Sequence, residues 1–510
     1  MELESDKYDV IVLGTGLAES IAAAALAKAG KSVLHLDGNE YYGGDEASLT
    51  LDELAAWTHA RAGASGTSSQ AGSSEYLRAQ RIRFTNATTT PLTPALQADR
   101  RRYAISLQPA LMPSRGALVS TLISSDVSKY VSFRLLDGVS IWEDDAARRV
   151  PGGKEDVFKD KTVSLLDKRR LMKALMFIGS EFEDDEQLKG HESDGILDFL
   201  TATFALPPRL AAAVTYAIAH ASSPTDPALA SLVRARRYLR SMGRYGSSAF
   251  LVGQYGGAGE VAQGYCRACA VFGGTYVLGP PAMPDAIGVA EGGGVTLKIP
   301  GHPRPLAAGH LVSSDDFLPP TLAPAASGAV RTTARGVAVV TAQPAVLKRA
   351  PQPDADEDEA VAEDDDTAVV VFPPSGDAPL ARALIMGEGT GSCPAGQWIV
   401  YLWTEAGAGD DAAATLRPFL ERLAPNGAVF ESYYLEHSVE PSSTTTSPSP
   451  PGVVRLETYT GGQTLTEALD FAAEAGRAAF DVVLGPGEHE GQGFFEKAGG
   501  DEDEAGDDDE

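Results

Sequence analysis

Three cysteines in 510 residues, Cys266, Cys269 and Cys393, are too few for a disulfide framework. The single CxxC, Cys266-Arg267-Ala268-Cys269, has no second pair to complete a zinc site and reads as two small packing residues within a helix. Long apolar runs are missing as well. The longest uncharged stretch, around Ala268 to Pro284, carries two adjacent glycines and three prolines, so no membrane-spanning helix is expected. The eight histidines are scattered, with neither HExxH nor a GxSxG elbow, which leaves no hydrolytic constellation and no catalytic residue to name. Positive charge is scarce: 42 Lys and Arg stand against 70 Asp and Glu, for a net charge of -28. Without a basic stripe, nucleic acid is excluded as a partner. The start, Met1-Glu2-Leu3-Glu4, is no signal peptide and the final residues are acids rather than a Cys-a-a-X box. A cytoplasmic, reducing compartment is therefore expected, with no prenyl group on the chain itself.

The apolar run Val10-Ile11-Val12-Leu13 leads into Gly14-Thr15-Gly16-Leu17-Ala18-Glu19. That order is a dinucleotide-binding turn between a strand and a helix, in which two glycines allow the bend and the close approach of a pyrophosphate. Ala22 to Ala29 continues as an alanine-rich helix closed by Gly30, and Ser32 to Leu36 is a second strand ending at Asp37, where a ribose-binding acid would sit. The third glycine has become Glu19. A carboxylate in the first helical turn satisfies the positive end of the helix dipole and repels a phosphate charge by about 3 kcal/mol at about 5 Å and an effective dielectric near 20. Gly14, Gly16, Glu19 and Asp37 thus form a degenerate dinucleotide site, and no cofactor is expected.

Composition shifts divide the rest. Ala62 to Ser74 is a Gly/Ser/Ala loop, Pro351 to Asp366 an acidic insertion, Glu440 to Pro451 a Ser/Thr/Pro linker, and 486–510 a disordered acidic tail. Asp354 to Asp366 supplies nine acids and Asp501 to Glu510 eight; removing these seventeen leaves -11. Helical periodicity covers Leu165 to Met176, Ile196 to Phe204, Pro208 to His220 and Leu229 to Met242, while strands return at Val337 to Thr341, Ala368 to Phe372, Ala383 to Met386 and Trp398 to Trp403. The fold class is α/β in two domains: a Rossmann-type domain with mixed sheets formed by 1–150 and 246–485, and a helical domain, 151–245, inserted between its halves.

Two blocks carry a resemblance to a known family. His35-Leu36-Asp37, Asn39 and Tyr41-Tyr42-Gly43-Gly44, together with Glu19, form the first. Gln254-Tyr255-Gly256, Gly259-Glu260-Val261, Gln263-Gly264-Tyr265-Cys266-Arg267 and Phe272-Gly273-Gly274-Thr275-Tyr276 form the second. Both resemble the Rab GDP-dissociation inhibitors and Rab escort proteins, which share a fold with flavoprotein oxidases but have no flavin chemistry. Asp156-Val157-Phe158, Lys168-Arg169, Leu171-Met172-Lys173, the Cys266 to Phe272 segment and the residues around Cys393-Pro394 look more like the escort branch.

The resemblance implies a non-enzymatic function. An escort protein presents a newly made, GDP-bound Rab GTPase to the geranylgeranyl transferase α/β heterodimer, shields the geranylgeranyl lipid and delivers the product through transient membrane contact. A GDP-dissociation inhibitor that recycles prenylated Rabs is the alternative, and an FAD-dependent amine oxidase-like enzyme the remote one. By the same resemblance Tyr42, Glu260 and Arg267 contact the GTPase; Leu111, Val119, Leu122 and Ile123 receive the hydrophobic part of its tail; Tyr238 and Arg244 contact the transferase; and Met172, Leu175 and Met176 touch lipid. Glu260 and Arg267 are seven residues apart, two turns, so both project from one helix face.

Overall fold

A computed structural model describes residues 3–62, 75–150, 163–290, 293–323, 328–349, 363–376, 378–439, 449–460, 465–485 and 493–495. Most of the Gly/Ser/Ala loop, of the acidic insertion and of the Ser/Thr/Pro linker, and nearly all of the acidic tail, lie outside the described residues. So does the Asp156-Val157-Phe158 motif.

The amino-terminal unit folds as its pattern dictates. Strand β1 (Lys7–Leu13) runs through the turn into helix α1 (Leu17–Lys28) and back into strand β2 (Val33–Asp37), parallel to β1. The apolar run is fully buried, as a parallel strand covered on both faces requires. Helix α1 is hydrophobic all round because it is enclosed between the helices Ala258–Val271 and Ala468–Leu484. Alanine keeps that packing close, and Gly476 lets the carboxy-terminal helix lie against α1, since a Cβ there would meet the Ala18 carbonyl at 2.8 Å.

The sheet holding β1 and β2 is mixed. Its parallel part runs Thr275–Leu278, β2, β1, Leu306–Ser314, with Val453–Leu456 pairing to the last of these. An antiparallel extension follows through Val295–Lys298 and Ala286–Val289. A second sheet has eight strands in the order Phe84–Thr89, Phe430–Val439, Val330–Val340, Trp398–Ala406, Ala381–Met386, Thr367–Phe372, Gly138–Glu143 and Ala146–Arg149. All four strands read beyond residue 330 are present, the first ending at Val340 rather than Thr341.

The helix Ala412–Leu423 covers one face of the second sheet with Leu416, Phe419 and Leu420. Its other face shares one apolar core with the helices Leu165–Gly179, Ile196–Phe204 and Ala228–Ser241. Ser164 starts the first of these helices by accepting the Asp167 N–H at 3.2 Å. The helix expected over Pro208 to His220 is α-helical only to Ala212 and then widens into a π-turn at Ala213–Ile218, ending at His220 with φ +49°. Burial drives this. Residues 214–221 are buried in succession, and the wider turn rotates them onto the core.

Candidate functional site

The turn Gly14–Glu19 is occupied by the protein's own side chains. Asp37 does not face outward as a ribose ligand would. It accepts the Thr15 N–H at 2.8 Å and hydroxyl at 2.5 Å, and the Asn39 backbone and side-chain N–H groups at 2.8 and 2.9 Å. Its oxygens are committed to holding two loops together.

Glu19 is 7% exposed, and burial, followed by the nearby Asp37 and Asp45 carboxylates, pushes its pKa up to about 7. At neutral pH it carries only part of a charge. The expected repulsion of phosphate by Glu19 is therefore weakened, and exclusion is steric. Glu46, unforeseen from the sequence, lies beside it and accepts weakly from the first helical N–H, that of Leu17, at 3.4 Å; burial, then Asp45 and Glu19, raise its pKa to about 8. A carboxyl group stands where a phosphate would meet the helix N-terminus.

Over Gly14, φ +95°, lies the ring of Phe317, which would be 2.6 Å from a Cβ at that position and which stacks on Tyr76 at 4.4 Å. Tyr76 in turn accepts from the Asn39 amide at 2.9 Å. Gly14 and Gly16 thus keep the close approach the motif needs, but what approaches is this chain itself. These residues do not fit a dinucleotide.

The loop after β2 carries Tyr42 to the exposed side. Tyr42 is half-buried and meets the edge of Tyr276 at 5.9 Å between ring centres. Gly43, φ +102°, leaves no room for a side chain against Ala47 and lies close to Gly259 at the start of the helix Ala258–Val271, so loop and helix form one continuous surface. That helix buries Val261, Ala262, Tyr265, Cys266 and Cys269 and turns Glu260, Gln263, Arg267 and Val271 outward. Both cysteines pack inside, with burial raising their pKa to about 12 and about 11, as expected of inert thiols.

Glu260 is half-buried and Arg267 exposed, and neither has an ion-pair partner among the described residues. Burial raises the Glu260 pKa. The guanidinium of Arg267 lies over the ring of Tyr130, 4.7 Å from its centre. Glu260 and Arg267 thus share one helix face, and Tyr42 sits on the loop packed against the start of that helix.

The tail-receiving residues fare differently. Leu111, Val119 and Leu122 are buried, the last two in the helix Ala117–Ser124 packed against Ala468–Leu484. They are core and offer no contact surface, which corrects that expectation; only Ile123 is exposed, at 52%. Asp470 explains the arrangement. It accepts the Leu118 N–H at 3.0 Å at the start of that helix and pairs with Arg237 at 3.1 Å, joining the helix Ala228–Ser241 to the amino-terminal unit.

Tyr238 is also core. It is 6% exposed between His220 and Phe250, with centroid distances of 6.4 and 5.4 Å, and burial pushes its pKa to about 12. Its expected role as an exposed hot spot is corrected. Arg236 and Arg240 are bound to Glu181 and Glu183, whereas Arg244 is exposed, donates to the Ser114 carbonyl at 2.8 Å and stacks on Tyr245, itself 48% exposed. Tyr245 is the aromatic that the tail of this segment presents. Its neighbour Gly246 was no signal for it, and the family resemblance pointed to Tyr238.

On Leu165–Gly179, Met172 and Leu175 are half-buried and Met176 is 67% exposed, on the same helix face as the exposed Leu165 three turns before it. Leu171 and Leu175 line a cavity of about 60 Å³, closed opposite by Ile141, Leu210, Val214 and Ile218.

A family profile for GDP dissociation inhibitors matches residues 3–76 and 83–303, more than half of the chain. The Saccharomyces cerevisiae protein named Rab proteins geranylgeranyltransferase component A is 29% identical over 409 residues, a match covering 78% of this chain and 62% of that one. This chain thus spans less than two thirds of that relative's length. The solved structure of a Rab GDI from Plasmodium falciparum aligns with TM-score 0.65 over 93% of this chain and 97% of that one, at 17% identity. A putrescine oxidase aligns with TM-score 0.50 over 94% and 99%, at 14% identity. The fold is common to both.

Proposed function

Because the chain belongs to the GDP dissociation inhibitor family, we propose that it is a Rab escort protein with no catalysis of its own. It binds GDP-bound Rab GTPases, presents them to the Rab geranylgeranyl transferase heterodimer, keeps the prenylated product soluble in the cytoplasm and delivers it to membranes by transient contact. The observation that carries this reading is the pair Glu260 and Arg267. Two side chains of opposite charge, one half-buried and one exposed, neither with an ion-pair partner among the described residues, project from one helix face. A lone half-buried carboxylate is costly unless a partner completes it. Rab switch residues supply the missing charges.

Escort rather than inhibitor is favoured by the name of the yeast relative and by the exposed Arg244 and Tyr245 pair, which suits the transferase as a partner. The apolar cavity behind Leu175 is assigned to the prenyl chain. Its volume of about 60 Å³ matches only about two water molecules, so Leu165–Gly179 has to move outward to admit an isoprenoid. Exposed Met176 and Leu165 then cover it. Among the described residues no helix is long and apolar enough to cross a membrane, and membrane delivery is by surface contact.

Reconstituted prenylation tests the reading. Transferase, geranylgeranyl donor and full-length GDP-bound Rab should give product only with this chain present, and Arg267→Ala should reduce the yield at limiting chain concentration. Equal prenylation without the chain refutes the escort function. Rab binding without transferase capture moves the assignment to an inhibitor.

A further inference from the structure

We infer that Tyr130 is a positioning residue for Arg267, setting that guanidinium to receive a carboxylate of the bound GTPase. This rests on the reading of Arg267 as a GTPase contact. An exposed arginine loses rotamer freedom when a partner fixes it. A ring beneath it removes much of that loss in advance, and a guanidinium stacked by its face keeps its in-plane N–H donors free for a bidentate carboxylate.

The support of Tyr130 is built rather than incidental. Asp126, with φ +61°, opens the short turn Val127–Lys129, and the Tyr130 N–H donates to the Val127 carbonyl at 2.8 Å. Val127 is fully buried. On either side of Tyr130, the Cγ1 atoms of Val127 and Val131 would each lie 3.0 Å from a Cβ at position 264. A side chain at 264 would press on both valines, so glycine lets this turn sit close to the helix Ala258–Val271, and Gly264 is one turn before Arg267. The Ser125 hydroxyl donates to the Tyr265 phenol at 3.3 Å and fastens the same turn from its other end. The glycine of Gln263-Gly264-Tyr265 therefore has a physical cause: it seats Tyr130 under Arg267. In contrast to Arg236 and Arg237, which are bound to carboxylates of this chain, Arg267 has an aromatic floor and an open charge.

The experiment measures the affinity of the full-length chain for a GDP-bound Rab by titration. Arg267→Ala should weaken binding at least about ten-fold. Tyr130→Ala should weaken it about two- to five-fold, the size of a partly exposed cation–π contact, and should cost nothing further once Arg267 is alanine. Tyr130→Phe keeps the ring face and should bind as the parent does. Tyr130 is 47% exposed, so thermal stability should hold in both variants. An unchanged affinity for Arg267→Ala overturns the reading of the surface. A loss for Arg267→Ala with none for Tyr130→Ala, or an equal Tyr130→Ala loss in both backgrounds, overturns the role of Tyr130 alone.

Discussion

Replacing Glu19 by glutamine should make the folded protein more stable at alkaline pH and leave it unchanged at acid pH. The Glu19 carboxyl is raised from 4.5 to about 7, chiefly by burial and then by the charges of Asp37 and Asp45. Below the unfolded value both states hold the proton and the group contributes no difference. As pH rises through the window between 4.5 and about 7, the unfolded chain releases a proton that the folded chain retains, so stability falls by up to about 1.4 kcal/mol per pH unit. Above it both states are ionised and the penalty levels off at about 3 kcal/mol, an upper limit because relaxation around the charge reduces it. Glutamine is close in shape, can accept the hydrogen bond given by Ser314 and never ionises. The midpoint of urea unfolding, followed from pH 5 to pH 8, should therefore diverge between parent and variant as pH rises. Glu46, raised to about 8, adds a slope of the same sign, which Glu46→Gln in the Glu19→Gln background removes. A stability difference that is flat across this range, or that grows toward acid, refutes the buried carboxyl pair.

Tyr245→Ala should weaken capture of the Rab geranylgeranyl transferase at least about ten-fold in a pull-down titration without lowering thermal stability, while Tyr238→Phe should leave capture intact; the reverse pattern returns the contact to the buried tyrosine. Glu19→Gly restores the glycine of a dinucleotide turn, yet the variant should remain colourless after incubation with FAD, because Phe317 and Glu46 still fill the space. A visible flavin spectrum from that single change shows the exclusion to be electrostatic after all.

Elements with strong periodicity or punctuation were legible in the sequence, and so was the position of the glycine turn between strand and helix. β1, α1 and β2 follow from an apolar run, two glycines and an alanine-rich helix. What remained hidden depended on distant partners. Glu46 is an ordinary acid in a loop until folding sets it against the Leu17 N–H. Phe317 lies some 300 positions from Gly14 and no local pattern connects them. Tyr238 illustrates the opposite error, since an aromatic among arginines reads as exposed although its face of the helix is the one that packs on Phe250. Likewise Leu111, Val119 and Leu122 matched a contact segment by residue type, while the burial of Val119 and Leu122 against Ala468–Leu484 depends on a helix from the other end of the chain.

Filling the cofactor turn and presenting the proposed binding surface are mechanically one event. Thr15, held by Asp37, accepts the Gly43 N–H through both its carbonyl at 3.1 Å and its hydroxyl at 3.0 Å. That tie fixes the loop whose one end places Glu46 against Leu17 and whose other end carries Tyr42 to the surface. Gly43 also rests near Gly259, one residue before Glu260. A bound pyrophosphate would need the space of Glu46 and so would displace the loop that aligns Tyr42 with the helix Ala258–Val271. The two uses of the turn exclude each other on geometry. Loss of the third glycine to Glu19 is then no mere remnant, because a turn packed with protein side chains holds, without a ligand, the loop of Tyr42 against the helix that carries Glu260 and Arg267.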